Sequence, residues 1–222
     1  FTGAPAITVD APEVADLWGD LGTRWRITEQ YFKPQPVCRW AQPAIRAAAD
    51  LIAAHRALPA EIAAITIETF AAAVRLGLGR PATTEQAQYA LGYPIAALLQ
   101  HGRLGPAEVA EGALDHEGIA LLLSRMQAVV HPEFEAAFPA RRIARVRLTL
   151  ADGRQLVSAP TEAHGDAHDP MSQAELEAKF AINAGVLPPE RRARIIGEVG
   201  RVGTEAGPGA VALLDLTAPA IG

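Results

Sequence analysis

Residues 144–158 spell out a β-hairpin, and that hairpin dictates what the rest of the chain must supply. Ala144, Val146, Leu148 and Leu150 alternate with Arg145, Arg147 and Thr149, and Asp152-Gly153 follows before Gln155–Ser158. Successive side chains of a strand point to opposite faces, so this pattern makes one face apolar and the other charged. Asp-Gly provides the backbone that a tight connection between two twisted strands demands. Ile65-Thr66-Ile67-Glu68-Thr69-Phe70 is β-branched and alternating in the same way, which predicts a second strand with one buried face. A sheet with an apolar face needs a covering layer.

That layer is predicted to be helical. Pro43 suits a first helical turn, where its missing N–H costs nothing, and Ile45, Ala48, Leu51, Ile52 and His55 fall on one stripe before Pro59 closes the segment. Thr83-Thr84-Glu85-Gln86 matches a capping box that opens a helix running to about Leu99, with Pro94 inside it and a kink or break expected beside Tyr93. Two shorter helices are expected at about 106–112 and 116–127. Ser172-Gln173-Ala174-Glu175 is a second capping box, opening a helix with the stripe Leu176, Lys179, Phe180 and Asn183 that Gly185 stops. Pro188-Pro189 starts a last helix that turns Ile195, Ile196 and Val199 inward. Residues 1–39, rich in Gly and Pro with an amphipathic piece around Val14–Leu21, read as an extended leading segment laid over other structure. Helices interleaved with a few mostly antiparallel strands predict an α+β fold.

Charge and cysteine usage narrow the function. Twenty basic and 25 acidic residues give a net charge of −5, spread without blocks, so no electrostatic footprint for nucleic acid is present. No apolar run is long enough to span a bilayer, and the single Cys38 cannot pair within the chain, which together fit a reducing cytoplasm. The opening Phe1-Thr2-Gly3-Ala4-Pro5 reads as the middle of a polypeptide.

Two places carry the chemistry. Lys33-Pro34-Gln35-Pro36-Val37-Cys38-Arg39 sets two cations and a thiol on a proline-stiffened stretch that cannot be a regular helix. An ammonium and a guanidinium at fixed spacing can clamp carboxylates, and the alternative is a solvated basic loop. Tyr93, beside the expected irregularity, either projects its hydroxyl into a cavity as a proton or hydrogen-bond donor or is a core tyrosine satisfied by a carbonyl. His164-Gly165-Asp166-Ala167-His168-Asp169 has metal-ligand residue types without a metal-site spacing, so no metal is expected. His101, His116 and His131 stand alone, and Cys38, with no His or Asn partner in a recognisable context, reads more readily as a packed thiol than as a nucleophile. No phosphate loop, zincin helix or serine elbow occurs.

Taken in order, Phe1-Thr2-Gly3, the run Phe32–Arg39 leading to Pro43-Ala44-Ile45, the helix through Tyr93, and Asp169-Pro170-Met171-Ser172-Gln173-Ala174-Glu175-Leu176 resemble successive signatures of the MmgE/PrpD family. The resemblance covers nearly the whole chain. It implies carbanion chemistry on small polycarboxylates, as in 2-methylcitrate dehydratase, cis-aconitate decarboxylase and iminodisuccinate epimerase, with no metal and no organic cofactor. It also implies the site: Lys33 holding a substrate carboxylate, Tyr93 as proton donor or anion-stabilising hydroxyl, and Arg39, Gln42 and Cys38 on the substrate side. The implied layout is residues 1–39 as leading segment with the substrate loop, 40–165 as a lid-like α+β domain, and 166–222 as helices that pack on a helical domain of the same or a sister chain. A homodimer is implied as well.

The chain departs from the family pattern in ways that bear on chemistry. Many relatives carry histidine where Gln42 stands and aspartate where Arg46 stands, and a glutamine amide cannot shuttle a proton. Cys38 occupies the place of a site histidine in decarboxylase-type relatives, and the proline follows Tyr93 rather than preceding it, which counts against decarboxylation. Three functions are therefore open: part of a dehydratase-type lyase or related epimerase, a non-catalytic interaction module, or a carboxylate sensor.

Overall fold

The computed structural model describes residues 19–202 and residue 204. Phe1-Thr2-Gly3 and most of the amphipathic piece at Val14–Leu21 lie outside the described residues.

The sheet is built as the alternation requires. Strands β1 (Ile62–Thr69), β2 (Met126–Val130), β3 (Ile143–Leu150) and β4 (Gln155–Val157) lie in the order β2-β1-β3-β4, and β5 (Thr161–Glu162) also pairs with β3. The β1–β3, β3–β4 and β3–β5 pairings are antiparallel and β1–β2 is parallel. Gly153 (φ 85°) supplies the left-handed residue of the β3–β4 turn, where Asp152 accepts from the Arg154 amide at 3.0 Å.

One face of the sheet is apolar and the other is charged. Ile65 and Ile67 of β1 register with Leu148 and Val146 of β3, and all four are fully buried. Each such side chain contributes roughly 1.5–3 kcal/mol on leaving water. Their cover is α1 (Gln42–His55), α4 (Gly92–His101) and α5 (Glu117–Ser124): α1 packs on β3 and α4, and α4 packs on α5. Of the predicted stripe of α1, Ile45, Ala48 and Leu51 are buried, Ile52 is half-buried and His55 is exposed. On the opposite face Glu68 of β1 pairs with Arg145 of β3 and lies 3.7 Å from Arg147. Thr69, fully buried, is satisfied by donating its hydroxyl to the Ile143 carbonyl at 3.0 Å.

Three predicted elements differ. The helix expected at 116–127 ends at Ser124, and Met126–Val130 instead forms β2. The apolar run hid a change of period that only the β1 edge, offering its unpaired backbone groups, resolves. The helix expected at 106–112 is two tight 3-10 turns, Pro106–Val109 and Glu111–Ala113, because the Glu108 carboxylate folds back on the Gly105 amide at 2.8 Å. The helix expected from Thr83 to Leu99 is two: α3 (Thr84–Tyr89), capped by the Thr83 hydroxyl accepting from the Gln86 amide, and α4. The break falls at Ala90–Leu91, so Pro94 sits in the first turn of α4, where its missing donor removes no ladder bond. The shorter helices α2 (Ala71–Val74) and α6 (Pro132–Ala137) flank the strand ends.

Beyond β5, α7 (Gln173–Asn183) and α8 (Pro189–Val199) close the described chain. The Ser172 capping box is complete: the Ser172 hydroxyl accepts from the Glu175 amide, and the Glu175 carboxylate accepts from the Ser172 amide at 2.7 Å. Helix α7 buries no residue fully, whereas α8 buries Ile195. Among the described residues no helix is long and apolar enough to cross a membrane.

Candidate functional site

The proline-stiffened stretch is held by its own neighbours. The Gln42 side-chain amide donates to the Gln35 carbonyl at 3.0 Å and to the Val37 carbonyl at 3.3 Å, and the Cys38 amide donates to the Gln88 carbonyl at 2.7 Å. Pro34 and Pro36 have no N–H to offer a helix or ladder, so the loop's carbonyls are left for side chains to satisfy. Upstream, the Phe32 amide donates to the Gly165 carbonyl at 2.9 Å. Gly165 has φ 95°, and a Cβ there would fall on the Phe32 carbonyl oxygen. Glycine is required on both counts.

Lys33 lines a groove of about 350 Å³ between this loop, the Leu104–Pro106 turn and helix α7. The α7 wall contributes Glu175, Lys179, Ile182 and Asn183. The Lys179 ammonium donates to the Lys33 carbonyl at 2.5 Å. Burial pushes its pKa below the ordinary lysine value, and the positive charge of Lys33 pushes it further in the same direction. Among the described residues neither Lys33 nor Lys179 makes an ion pair with a carboxylate, and Glu175 at the groove's edge is engaged by Ser172 and His164. Two like charges on one groove, with its lining carboxylate Glu175 already engaged elsewhere, make a site for an anion.

The other four predicted site residues do not line this groove. Tyr93 is fully buried, with its hydroxyl 3.0 Å from the Glu108 carbonyl and 3.1 Å from that of Ala113, and burial raises its pKa. Of the two readings of Tyr93, the arrangement is that of a core tyrosine satisfied by carbonyls, because the helix break lies ahead of it and leaves it inside a regular, buried turn. It stands behind the Pro106–Val109 turn whose first residue forms the groove wall. Gln42 spends both amide protons on the prolyl loop and is buried. Cys38 is a half-buried free thiol. Arg39 is only 6% exposed: its guanidinium donates to the His164 carbonyl at 2.9 Å, pairs with Asp166, and lies 4.4 Å over the Tyr31 ring. These residues shape and brace the loop that presents Lys33.

Sequence reasoning missed Lys179 and the role of His164. Lys179 had a signal, a cation on an otherwise apolar stripe of α7. His164 sits 2.9 Å from Asp169 through Nδ1 and 3.1 Å from Glu175 through Nε2, and Asp169 also accepts from Arg46 at 2.9 Å. A neutral imidazole can donate from only one nitrogen, so two flanking carboxylates select the imidazolium. Its pKa is raised, first by the bond to Asp169 and then by that to Glu175. Arg46 is thus an ion-pair partner of this loop. No cluster of three or more metal-ligating side chains occurs among the described residues.

A second groove, of about 400 Å³, lies between α7 and α8 and is mainly apolar, with Phe32, Leu176, Phe180 and Ile196 among its walls.

No curated protein matches the chain. The family model described as MmgE/PrpD C-terminal domain matches residues 36–201, which includes most of the prolyl loop and all of α1 to α8, although Lys33 lies just ahead of it. The chain therefore belongs to the MmgE/PrpD family and carries its C-terminal domain.

Proposed function

We propose that this chain is the carboxylate-gripping part of a dehydratase-type lyase that acts on a small polycarboxylate, such as a 2-methylcitrate-like acid, by proton abstraction next to a carboxylate. The observation that carries this reading is the pair of ammonium groups, Lys33 and Lys179, on one groove whose lining carboxylate, Glu175, is engaged by Ser172 and His164 and pairs with neither of them. Removing a proton beside a carboxylate builds negative charge, and fixed cations lower the cost of that charge in the transition state. Lys33, on a loop that cannot relax into a helix, and Lys179, anchored to the Lys33 carbonyl, are cations of this kind. The base that takes the proton comes, in this reading, from a helical domain of the same or a sister chain. Tyr93 acts as proton donor only if the turn of Glu108 swings away from its hydroxyl; in the arrangement described it braces the groove wall.

The test is reconstitution. The chain is mixed with the helical domain of a full-length relative, and hydration, decarboxylation and epimerisation of citrate-like acids are assayed. Dehydration lost in Lys33→Ala supports the lyase, racemisation without loss of water supports the epimerase-like alternative, and no turnover with both parts folded contradicts both.

A second reading, a non-catalytic interaction module, is favoured by α7. That helix buries no residue fully, its own Ile182 is 63% exposed, and Val186 just beyond it is 94% exposed. An apolar surface of this kind suits a covering partner, which the helical domain would be in either reading. Formation of a stable complex with a full-length relative in which Lys33→Ala changes nothing would select this second reading.

A further inference from the structure

The two lysines of the groove belong to elements far apart in sequence, and the elements that carry them are joined twice: by the bond from Lys179 to the Lys33 carbonyl and, at the start of α7, through His164. The loop at 163–169 holds the Lys33 strand through the bond from the Phe32 amide to the Gly165 carbonyl. It holds α7 through His164, whose Nε2 meets Glu175 at the first turn of that helix, four residues before Lys179. The same ring meets Asp169 through Nδ1, and Asp169 is bound to Arg46 of α1, while Arg39 grips the His164 carbonyl and Asp166. His164 is thus faced by Asp169 from its own loop, by Glu175 from α7, by Arg46 from α1 through Asp169, and by Arg39 through its own backbone. Only with a proton on both ring nitrogens does it bond both carboxylates.

We propose that His164 is a positioning residue of the carboxylate groove, an imidazolium clamp that sets the distance between the Lys33 loop and Lys179 and opens when it loses its proton. Loss of the ring proton leaves a lone pair against one of the two carboxylates. Loss of the Glu175 contact frees the first turn of α7 from the 163–169 loop, and loss of the Asp169 contact frees the ring from that loop's anchor on Arg46. Either way only the bond from Lys179 to the Lys33 carbonyl is left to hold the two ammonium groups on one ligand. The clamp acts on ligand affinity without touching the ligand. It rests on the reading of the groove as a carboxylate site.

Two measurements on the 222-residue chain test it. In the first, NMR follows the His164 ring and the amides of Phe32, Gly165 and Ser172 from about pH 6 to about pH 9. The amides should shift with the midpoint of the ring in the wild type and stay fixed in His164→Arg, which donates to both carboxylates at every pH in this range. In the second, calorimetry with succinate above about pH 7, where both of its carboxyls are ionised, should show affinity falling about five- to tenfold as the ring deprotonates. In His164→Arg only the smaller decline due to Lys179 should remain, and His164→Gln should bind weakly throughout. Amides that ignore the ring, or a wild-type affinity profile identical to that of His164→Arg, overturn the clamp. Amides that follow the ring in a chain that binds no succinate overturn the carboxylate reading instead.

Discussion

The ammonium of Lys179 donates to the backbone carbonyl of Lys33 across 146 positions of sequence, so the C-terminal helix pair and the leading loop meet at a charged groove. A protonated lysine that donates to one carbonyl has two further protons for a ligand. The contact therefore both positions the loop and adds to the field in the groove.

Replacing Lys179 by methionine keeps the aliphatic stem and removes the charge. Succinate affinity should fall about tenfold or more, the worth of one charge-assisted contact, while the folding midpoint changes little because the side chain is only half-buried. Calorimetry and a denaturant titration on the same sample check both halves.

Tyr93→Phe separates bracing from chemistry. The hydroxyl shares its one proton between the buried Glu108 carbonyl and the half-buried Ala113 carbonyl, so its loss should cost about 1–2 kcal/mol of stability in urea unfolding and leave succinate binding unchanged. A reconstituted enzyme that keeps its stability but loses turnover would restore Tyr93 to the reacting groups.

Gly165→Ala places a methyl group where the Phe32 carbonyl lies and forces a left-handed backbone on a residue with a Cβ. Destabilisation of about 1–3 kcal/mol is expected, together with weaker succinate binding as the Lys33 strand moves away. The first is read by thermal or urea unfolding and the second by calorimetry.

Stability should depend on pH through His164 and its carboxylates. The folded pKa of His164 is raised, so its contribution is fully present below the unfolded value of about 6.5 and is lost as pH rises through the folded value. Asp169 is held below the ordinary carboxylate range chiefly by His164 and Arg46, and Glu175 chiefly by Ser172, so their contributions are present above about pH 4 and are lost as pH falls through the lowered values. Urea midpoints against pH should show a maximum between these limits, with the alkaline decline diminished in His164→Gln.

The fold was legible where local rules agree with the tertiary outcome. Ala144–Leu150 had strict alternation and Asp-Gly beside it, and Ser172-Gln173-Ala174-Glu175 had both halves of its cap, so β3, the turn and the start of α7 could be read directly. Met126–Val130 could not, because its apolar run fits a helix end as well as a strand and only pairing with β1 decides it. The site was half legible. Pro34 and Pro36 announce the stiff loop that bears Lys33. Lys179 is 146 positions away, and His164 becomes a clamp only when Glu175 of α7 and Asp169 come within bonding distance of it, which no sequence spacing encodes. Tyr93 stayed open between site and core because Pro94 pointed to a kink or a break beside it, whereas the break three residues before the proline made Pro94 an ordinary helix-start residue.

The central claim is that Lys33 and Lys179 grip one carboxylate ligand together, and a double-mutant cycle read by calorimetry tests it most directly. Succinate should bind the wild type, each of Lys33→Met and Lys179→Met should lose most of that affinity, and the double variant should lose less than the two losses added. Equal binding heats in the wild type and the double variant would contradict the account.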